Sequence, residues 1–554
     1  MSLIKKACKL TGRAFEVSEL EQELRKKFNA PLPDVHPYER MRELLSWRNI
    51  FTLYNHVCDL CKKPTLCYFN PETPFPKYCR GCWYGDGWEL PQRDIDFNRP
   101  FFEQLKDLVD ITPQVAISVS EPMENSDFNN AATSLKNCYM CFNVGYCEDT
   151  YYLVTGMHNK NVVDAYGVGN SEIVYDCTGC DRLYNVFYSE QTINCRDSLF
   201  LYDCQDCADC FMSSGLRHKR YVWRNEQLSE KEYSKRLYAL YALNLGSYEA
   251  VQSLREEFKQ LKQSYKLPAL WGSKNENSSG NFLAACNNVE DSYMMDSVEN
   301  AVNCYDLLDT IKDCLDVCAF GYGLELCYQS SSAGLNCYNI RHTFLGIEKS
   351  TNLEYCYQCR TVSDAFGCVG ARKKQYCILN KMYSKEEYAQ LHEKLIAHMK
   401  ETGEYGQFFP QSLNPFGYNE TVARLAMPLA KQEALARGFK WFDKPIPVFP
   451  PEKVYVPPDH IKDTHWEDIN GKVLICEVSK RPFNITKQEF EFYKKYTIPL
   501  PRLHPEIRLA ARYPREEMYN LHTVNCAQCK NEVKTSMPRE SAVLCEECYR
   551  KQVY

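Results

Sequence analysis

Asp203-Cys204-Gln205-Asp206-Cys207-Ala208-Asp209-Cys210-Phe211 sets an acidic residue before each of three cysteines and closes on an aromatic ring. Related fragments extend from it in both directions. NCYMC (from Asn137), EDTYYL (from Glu148), DAYGV (from Asp164) and DSLFL (from Asp197) precede it. EDSYMM (from Glu290), NCYDLL (from Asn303), DCLDVC (from Asp313), NCYNI (from Asn336) and DAFGC (from Asp364) follow. The recurring order is Asn or Asp, then Cys, Ser or Ala, then an aromatic residue or Leu, then an alternate apolar residue. It returns at intervals of roughly 9 to 15 residues, with Gly and Asn nearby for turns. Short alternating strands at short spacing predict a solenoid, and slender Cys, Ser and Ala suit the stacked interior of a parallel β-helix.

There are two such arrays, and they end alike. Phe211, Gly215, Lys219, Tyr221, Asn225, Ser229, Glu232 and Tyr233 reappear as Phe366, Gly370, Lys374, Tyr376, Asn380, Ser384, Glu387 and Tyr388, at a constant offset. This reads as a last coil running into a cap, because a solenoid must cover its open end. Each copy then starts a helix with a capping box, the first expected to run to about Lys266. Cys204-x2-Cys207-x2-Cys210 also resembles the start of a ferredoxin-type cluster run, with Cys177 or Cys180 as a fourth ligand. The acidic neighbours Asp203, Asp206 and Asp209 oppose an already anionic cluster, so these thiols are expected to be solenoid interior.

A second duplication joins the two ends of the chain. Cys8 matches Cys476, Phe15 matches Phe483, Glu21 matches Glu489, Pro31-Leu32-Pro33 matches Pro499-Leu500-Pro501, His36-Pro37 matches His504-Pro505, and Arg40 matches Arg508, all without a gap. Ser18-x2-Glu21 and Thr486-x2-Glu489 are capping boxes, and proline suits the first position of the next helix. Each copy then reaches a double cysteine pair: Cys58-x2-Cys61 with Cys79-x2-Cys82, and Cys526-x2-Cys529 with Cys545-x2-Cys548. Two such knuckles can set four thiolates tetrahedrally around one Zn2+, leaving no open position for water, so two structural zinc sites are expected. A redox dithiol needs only one pair, and an iron–sulfur cluster is the other alternative.

The stretch FNITKQEFEFYKKYTIPLPRLHPEIRLAAR resembles the probable zinc-ribbon family, which reads C-x-x-C, an aromatic four residues on, E-Q-x-F-Y, a proline turn, then C-x-x-C-R. The resemblance covers about 80 residues at each end and implies zinc, with little about activity. Departures are plain: Thr11 and Ser479 stand where a second cysteine belongs, and His36, Glu39, His504 and Ile507 occupy the later pair. The upstream finger is therefore expected to persist without metal. The chain is also similar to uncharacterised bacterial proteins that join such ends to cysteine-rich repeats, a likeness that names no function.

The fold class expected is α+β and multi-domain: two short parallel β-helix arrays flanked by two duplicated zinc-ribbon-like modules, with connecting helices. The divisions are 1–98 (N-terminal module), 99–124 (linker), 125–227 (first array), 228–275 (helical connector), 276–382 (second array), 383–442 (helical region), 443–470 (proline-rich strap) and 471–554 (C-terminal module). Pairing of the modules and of the arrays would give a pseudo-twofold particle.

With 554 residues, 44% of them hydrophobic, the chain is no disordered tail. Thirty cysteines without a secretion signal or membrane span point to a reducing, cytoplasmic setting. The net charge of −6 divides into +2 over 1–98, +5 over 471–554 and −13 between. Lys494, Lys495, Arg502, Arg508, Arg512 and Arg515 form the one candidate phosphate-facing cluster, although an ordinary solvated helix face is the preferred reading of the same residues. No P-loop, G-x-G-x-x-G, H-E-x-x-H or G-x-S-x-G motif occurs. The expectation is a non-enzymatic zinc-binding scaffold or adaptor acting through protein partners in a larger assembly. The alternatives are a factor associated with nucleic acid or ribonucleoprotein, or a β-helix carbohydrate-active enzyme. No membrane or small-molecule partner is indicated.

Overall fold

A computed structural model describes residues 3–243, 245–311, 314–315, 329–331, 342–344, 350–514 and 516–554. The fold is mixed α+β and is dominated by an eleven-stranded sheet from Val119–Glu124 to Glu226–Gln227. All its pairings are parallel except the last, Arg220–Trp223 with Glu226–Gln227. The interval is regular where the sequence showed only a loose spacing: Tyr151, Val163, Tyr175, Phe187, Leu199, Phe211 and Trp223 pair in succession, twelve residues apart. Bridges such as Thr178 to Glu190 and Ile193 to Gln205 keep the same interval outside the main strands.

Within each twelve-residue coil the backbone repeats every three residues. Asn137, Met140, Asn143, Tyr146, Asp149 and Tyr152 all have positive φ, and the series continues with few breaks to Arg224. Asn and Asp tolerate this left-handed region, but it is uncommon for Tyr, Phe or Met. The residue after each left-handed position points inward. Cys138, Cys141, Val144, Cys147, Cys177, Cys180 and Cys195 are among those that build one buried column.

The hydrogen bonding explains why Cys and Ser recur among the Val, Leu and Ala of the interior. The left-handed residue donates its N–H to the carbonyl thirteen residues earlier, as Tyr188 does to Tyr175 (2.8 Å). The inward residue that follows has its own N–H aimed at the coil beneath. Leu183 donates to Ser171 Oγ (2.9 Å), Leu201 to Ser189 Oγ (3.0 Å), Cys210 to Ser198 Oγ (3.0 Å) and Ser189 to Cys177 Sγ (3.4 Å). The thiols donate in turn: Cys141 Sγ reaches the Thr150 carbonyl (3.2 Å) and Cys177 Sγ the Val186 carbonyl (3.6 Å). Interior cysteine is thus a hydrogen-bonding residue that satisfies buried backbone groups, beyond its small size. Outside, the left-handed Asn and Asp residues form ladders, with Asn137 on Asp149 (2.9 Å), Asn185 on Asp197 (2.8 Å) and Asn194 on Asp206 (2.5 Å).

The second repeat region follows the same plan where it is described. Gly280–Ala284, Ser292–Val298 and Tyr305–Ile311 pair in parallel, as do Thr351–Glu354, Ser363–Phe366 and Gln375–Ile378. Cys356, Cys359, Cys368 and Cys377 line its interior. NCYNI from Asn336 and most of DCLDVC from Asp313 lie outside the described residues.

Helices cover the arrays. Phe101–Ile111 arises in the segment read as a linker and packs Phe101 on Phe366 at a centroid distance of 5.2 Å. The long helix expected to reach Lys266 is two helices, Glu230–Leu243 and Tyr248–Ser264. Ser247 caps the second, and Asp459 of the proline-rich strap accepts from Ser247 Oγ (2.6 Å) and the Glu249 N–H (2.9 Å). No helix among the described residues is long and apolar enough to cross a membrane.

Candidate metal centres and their docking surfaces

Four hairpins of one design begin at Cys8, Cys58, Cys476 and Cys526. In each, the cysteine N–H bonds five residues ahead and its carbonyl accepts from the residue four ahead: Arg13 and Gly12, Lys63 and Lys62, Arg481 and Lys480, Asn531 and Lys530. The residue four ahead has positive φ in every case, which turns successive N–H groups toward the first sulfur. In the two downstream hairpins the second knuckle closes over it. Cys79 N–H reaches Cys58 Sγ (3.2 Å), and Cys545 N–H reaches Cys526 Sγ (3.3 Å).

The sulfurs of Cys58, Cys61, Cys79 and Cys82 lie within 4.8 Å of one another, as do those of Cys526, Cys529, Cys545 and Cys548. Cys61 and Cys79 are 3.8 Å apart, and Cys529 and Cys545 3.7 Å. A tetrahedral ion with bonds of about 2.3 Å needs sulfur–sulfur edges of about 3.8 Å, so both quartets fit one metal ion. Burial alone would raise the Cys58 thiol, but hydrogen bonds from the Cys79, Cys61 and Leu60 backbone bring it down to about 6. Cys526 is likewise brought down to about 6 against burial, by the N–H groups of Cys545, Cys529 and Gln528. Cys82 is pushed up to about 12, by burial and then by the neighbouring thiols. Four thiolates at this spacing repel unless a cation lies among them.

The upstream hairpins keep the turn without the quartet. Thr11 sits near Cys8, and the Ser479 N–H reaches Cys476 Sγ at 3.4 Å. Among the described residues, the groups close enough to share an ion are the two quartets. Cys204, Cys207 and Cys210 lie buried in the first column with no such grouping.

Each module with a cysteine quartet joins both arrays. On the N-terminal side, Lys77–Tyr78 pairs with Gln114–Val115 just before the first array, and Arg372 in the last coil of the second lies 5.2 Å over the Trp83 ring. On the C-terminal side, Val543–Leu544 pairs with Leu267–Pro268 before the second array, and Arg217 in the last coils of the first donates to the Tyr549 hydroxyl (2.8 Å). Tyr549 and Tyr265 both donate to Asp203, at 2.6 and 2.5 Å.

The upstream fingers cross over in the same sense. Arg508 and Arg512 of the helix Pro505–Arg512 reach Asp164 and Asp176 of the first array, where Arg255 also pairs with Asp176. Burial would raise Asp176, yet Arg255 and Arg512 hold it down at about 2. In the N-terminal copy Arg48 pairs with Asp306 of the second array at 2.7 Å. Ser18 caps its helix as expected, but the Glu21 carboxylate leaves the capping box and takes Arg25 (2.9 Å) and Arg40 (2.8 Å). Glu489 keeps the box and also accepts from Tyr152 and Tyr493 (2.9 and 2.8 Å), and burial raises it to about 7.

The basic cluster read as phosphate-facing therefore divides. Arg508 and Arg512 are turned inward onto aspartates, with side chains 6% and 10% exposed. Lys494 donates to the Ile461, Lys462 and Thr464 carbonyls. Arg502 lies 4.1 Å over the Tyr248 ring, and Lys495 5.1 Å over Tyr496. Arg515 lies outside the described residues. Sequence reasoning missed Asp164, Asp176 and Asp203 as docking groups, because they carry the same Asp-small-aromatic grammar as exposed turn residues. No protein-family model matches the chain, and no curated protein matches it.

Proposed function

We propose that the protein is a non-enzymatic, zinc-bearing scaffold of the reducing cytoplasm, in which two parallel β-helix arrays are clasped by two zinc-ribbon-like modules and protein partners dock on the faces so formed. The observation that carries this reading is the use of each cysteine quartet as a joint. The short strand before its second cysteine pair joins the entry of one array while the residue after its last cysteine contacts the final coils of the other. A four-thiolate zinc site offers rigidity and no open position for substrate or water. The buried aspartates support the same reading, since Asp164, Asp176 and Asp203 hold modules in place and are not paired toward solvent as a hydrolytic couple. The inward turn of Arg508 and Arg512 favours protein over nucleic acid as the partner.

The test is native purification with and without nuclease, followed by mass spectrometry of co-purifying proteins and elemental analysis. Stoichiometric protein partners that survive nuclease, with about two zinc ions per chain, are expected. Partners lost on nuclease treatment would overturn the protein-scaffold reading, and iron in place of zinc would overturn the metal assignment.

A further inference from the structure

The proline-rich strap is held at its ends and bare between them. Phe442 exchanges hydrogen bonds with the Asn419 side chain (3.1 and 2.7 Å), the Lys444 ammonium lies 4.6 Å over the Tyr54 ring, and Tyr455 donates to the Val473 carbonyl (2.8 Å). Every residue from Asp443 to Lys453 is exposed. The sequence Lys444-Pro445-Ile446-Pro447-Val448-Phe449-Pro450-Pro451 leaves this backbone little freedom. Proline fixes its own φ near about −65°, and a residue before proline is confined to extended conformations. Of these residues only Val448 is neither a proline nor followed by one. Pro450, with φ −67° and ψ 151°, has polyproline II angles. Among the described residues the N–H groups of Lys444, Ile446, Val448 and Phe449 have no hydrogen-bond partner, as that helix requires. Three residues complete its turn, so Ile446 and Phe449 share one edge and Pro447 and Pro450 the next, about 9 Å apart along the axis. Ile446 is 52% exposed, Phe449 37%, and Val448 on the remaining edge 94%, so no edge is packed away.

We infer that residues 445–451 are a docking ligand for a partner protein's SH3-type groove, one lined by aromatic rings and slotted for two apolar-proline dipeptides. Ile446-Pro447 and Phe449-Pro450 repeat that dipeptide at the three-residue period of the helix, which brings both onto the same face. The extended form is already set and both ends are anchored, so binding gives up little conformational entropy. No charged side chain stands between Lys444 and Glu452, which suits stacking on rings and offers nothing to a phosphate backbone. A tether needs only length and a soluble surface, for which Ile446, Val448 and Phe449 are poor choices. Singly exposed apolar residues are ordinary, but here they form one ribbon with the prolines between them. The inference rests on the scaffold reading and names the kind of partner it holds.

The test replaces Val448 of the full-length chain by the photo-crosslinker benzoylphenylalanine, irradiates the cells that make it and identifies the conjugate by mass spectrometry. A protein joined through a domain with an aromatic-lined groove is expected. That domain, purified, should bind the full-length chain with micromolar affinity, weakened about tenfold or more by Pro447→Ala with Pro450→Ala. Zinc content and circular dichroism of the double variant should be unchanged, because both prolines are exposed. No conjugate, a conjugate through a surface without such a groove, or binding that survives the double substitution overturns the inference. A conjugate between two copies of this chain would assign the strap to self-association and overturn it as well. Partners that co-purify undiminished with the double variant would remove the strap as their ligand and leave the scaffold standing, whereas failure of the scaffold shows as partners lost on nuclease treatment.

Discussion

Arg508 reaches Asp164 across 344 residues of sequence, whereas its counterpart Arg40 turns to Glu21 within its own module. The Arg508 side chain is 6% exposed and that of Asp164 1%. Truncating one member of such a pair strands a buried charge, at a cost of about 3–5 kcal/mol, while replacing both by apolar groups of like volume is close to neutral. Arg508→Met should therefore lower the apparent melting temperature and speed amide exchange in Pro505–Arg512. Arg508→Met with Asp164→Leu should recover most of the loss. Equal damage in the single and double variants would refute the pairing as the cause.

Removal of one metal ligand gives a second test. Cys529→Ser should reduce zinc from about two ions per chain to about one, and amide protection of Leu267 and Ala269, which donate to the Ala542 and Leu544 carbonyls, should fall with that of Val543 and Leu544. Folding of a structural zinc module draws on roughly 10–16 kcal/mol of metal binding, so the module should open. Cys476→Ser, in the hairpin without a quartet, should keep both ions. Loss of an ion from that variant would contradict the assignment.

The interior thiols make a prediction of a different kind. Cys177 Sγ accepts from the Ser189 N–H and donates to the Val186 carbonyl. Cys177→Ser keeps both roles and should change stability by no more than about 1 kcal/mol, whereas Cys177→Ala should selectively deprotect the Ser189 amide. Cys177→Leu overfills the column and should cost about 1–3 kcal/mol. Slow exchange at Ser189 in the alanine variant would show that the thiol's acceptor role is dispensable.

Acid should loosen the C-terminal finger through His504. Its Nδ1 accepts the Glu506 N–H at 3.1 Å, and burial first, then Arg481, lowers it to about 4 from 6.5. Above pH 6.5 both folded and unfolded forms are neutral and the stabilisation is complete. As pH falls from 6.5 toward 4 the unfolded chain takes up the proton first, so stability declines by up to about 1.4 kcal/mol per pH unit. His504→Asn, which can still cap the helix, should flatten the difference in exchange between pH 7 and pH 5. An unchanged slope would assign the acid sensitivity elsewhere.

Much of this architecture was legible in the chain, and the reasons for the remainder are physical. The matching ends, the cysteine spacings and the Ser384-x2-Glu387 cap speak through local chemistry, which sequence carries directly. The triplet backbone was hidden because its period of three matches neither the two of an ordinary strand nor the 3.6 of a helix. Left-handed positions at Tyr152, Tyr188 and Phe200 carry residues that rarely mark such turns. The inward destinations of Arg508 and Arg512 depend on aspartates more than 330 positions away, and in sequence they are indistinguishable from a solvated basic face.

Because each array is held by modules from opposite regions of the chain, assembly has an order imposed by synthesis. Asp164 is made 344 residues before the arginine that neutralises it. At ordinary translation rates of about 5–20 residues per second that is a wait of roughly 20 to 70 seconds. Through that interval Asp164 lacks Arg508, whereas Asp176 already has Arg255 and Phe200 is already covered by Phe258. A chain that stops before residues 505–512 lacks both guanidinium groups, those of Arg508 and Arg512, so the charge balance of the first array is completed only when the far end of the chain has been made.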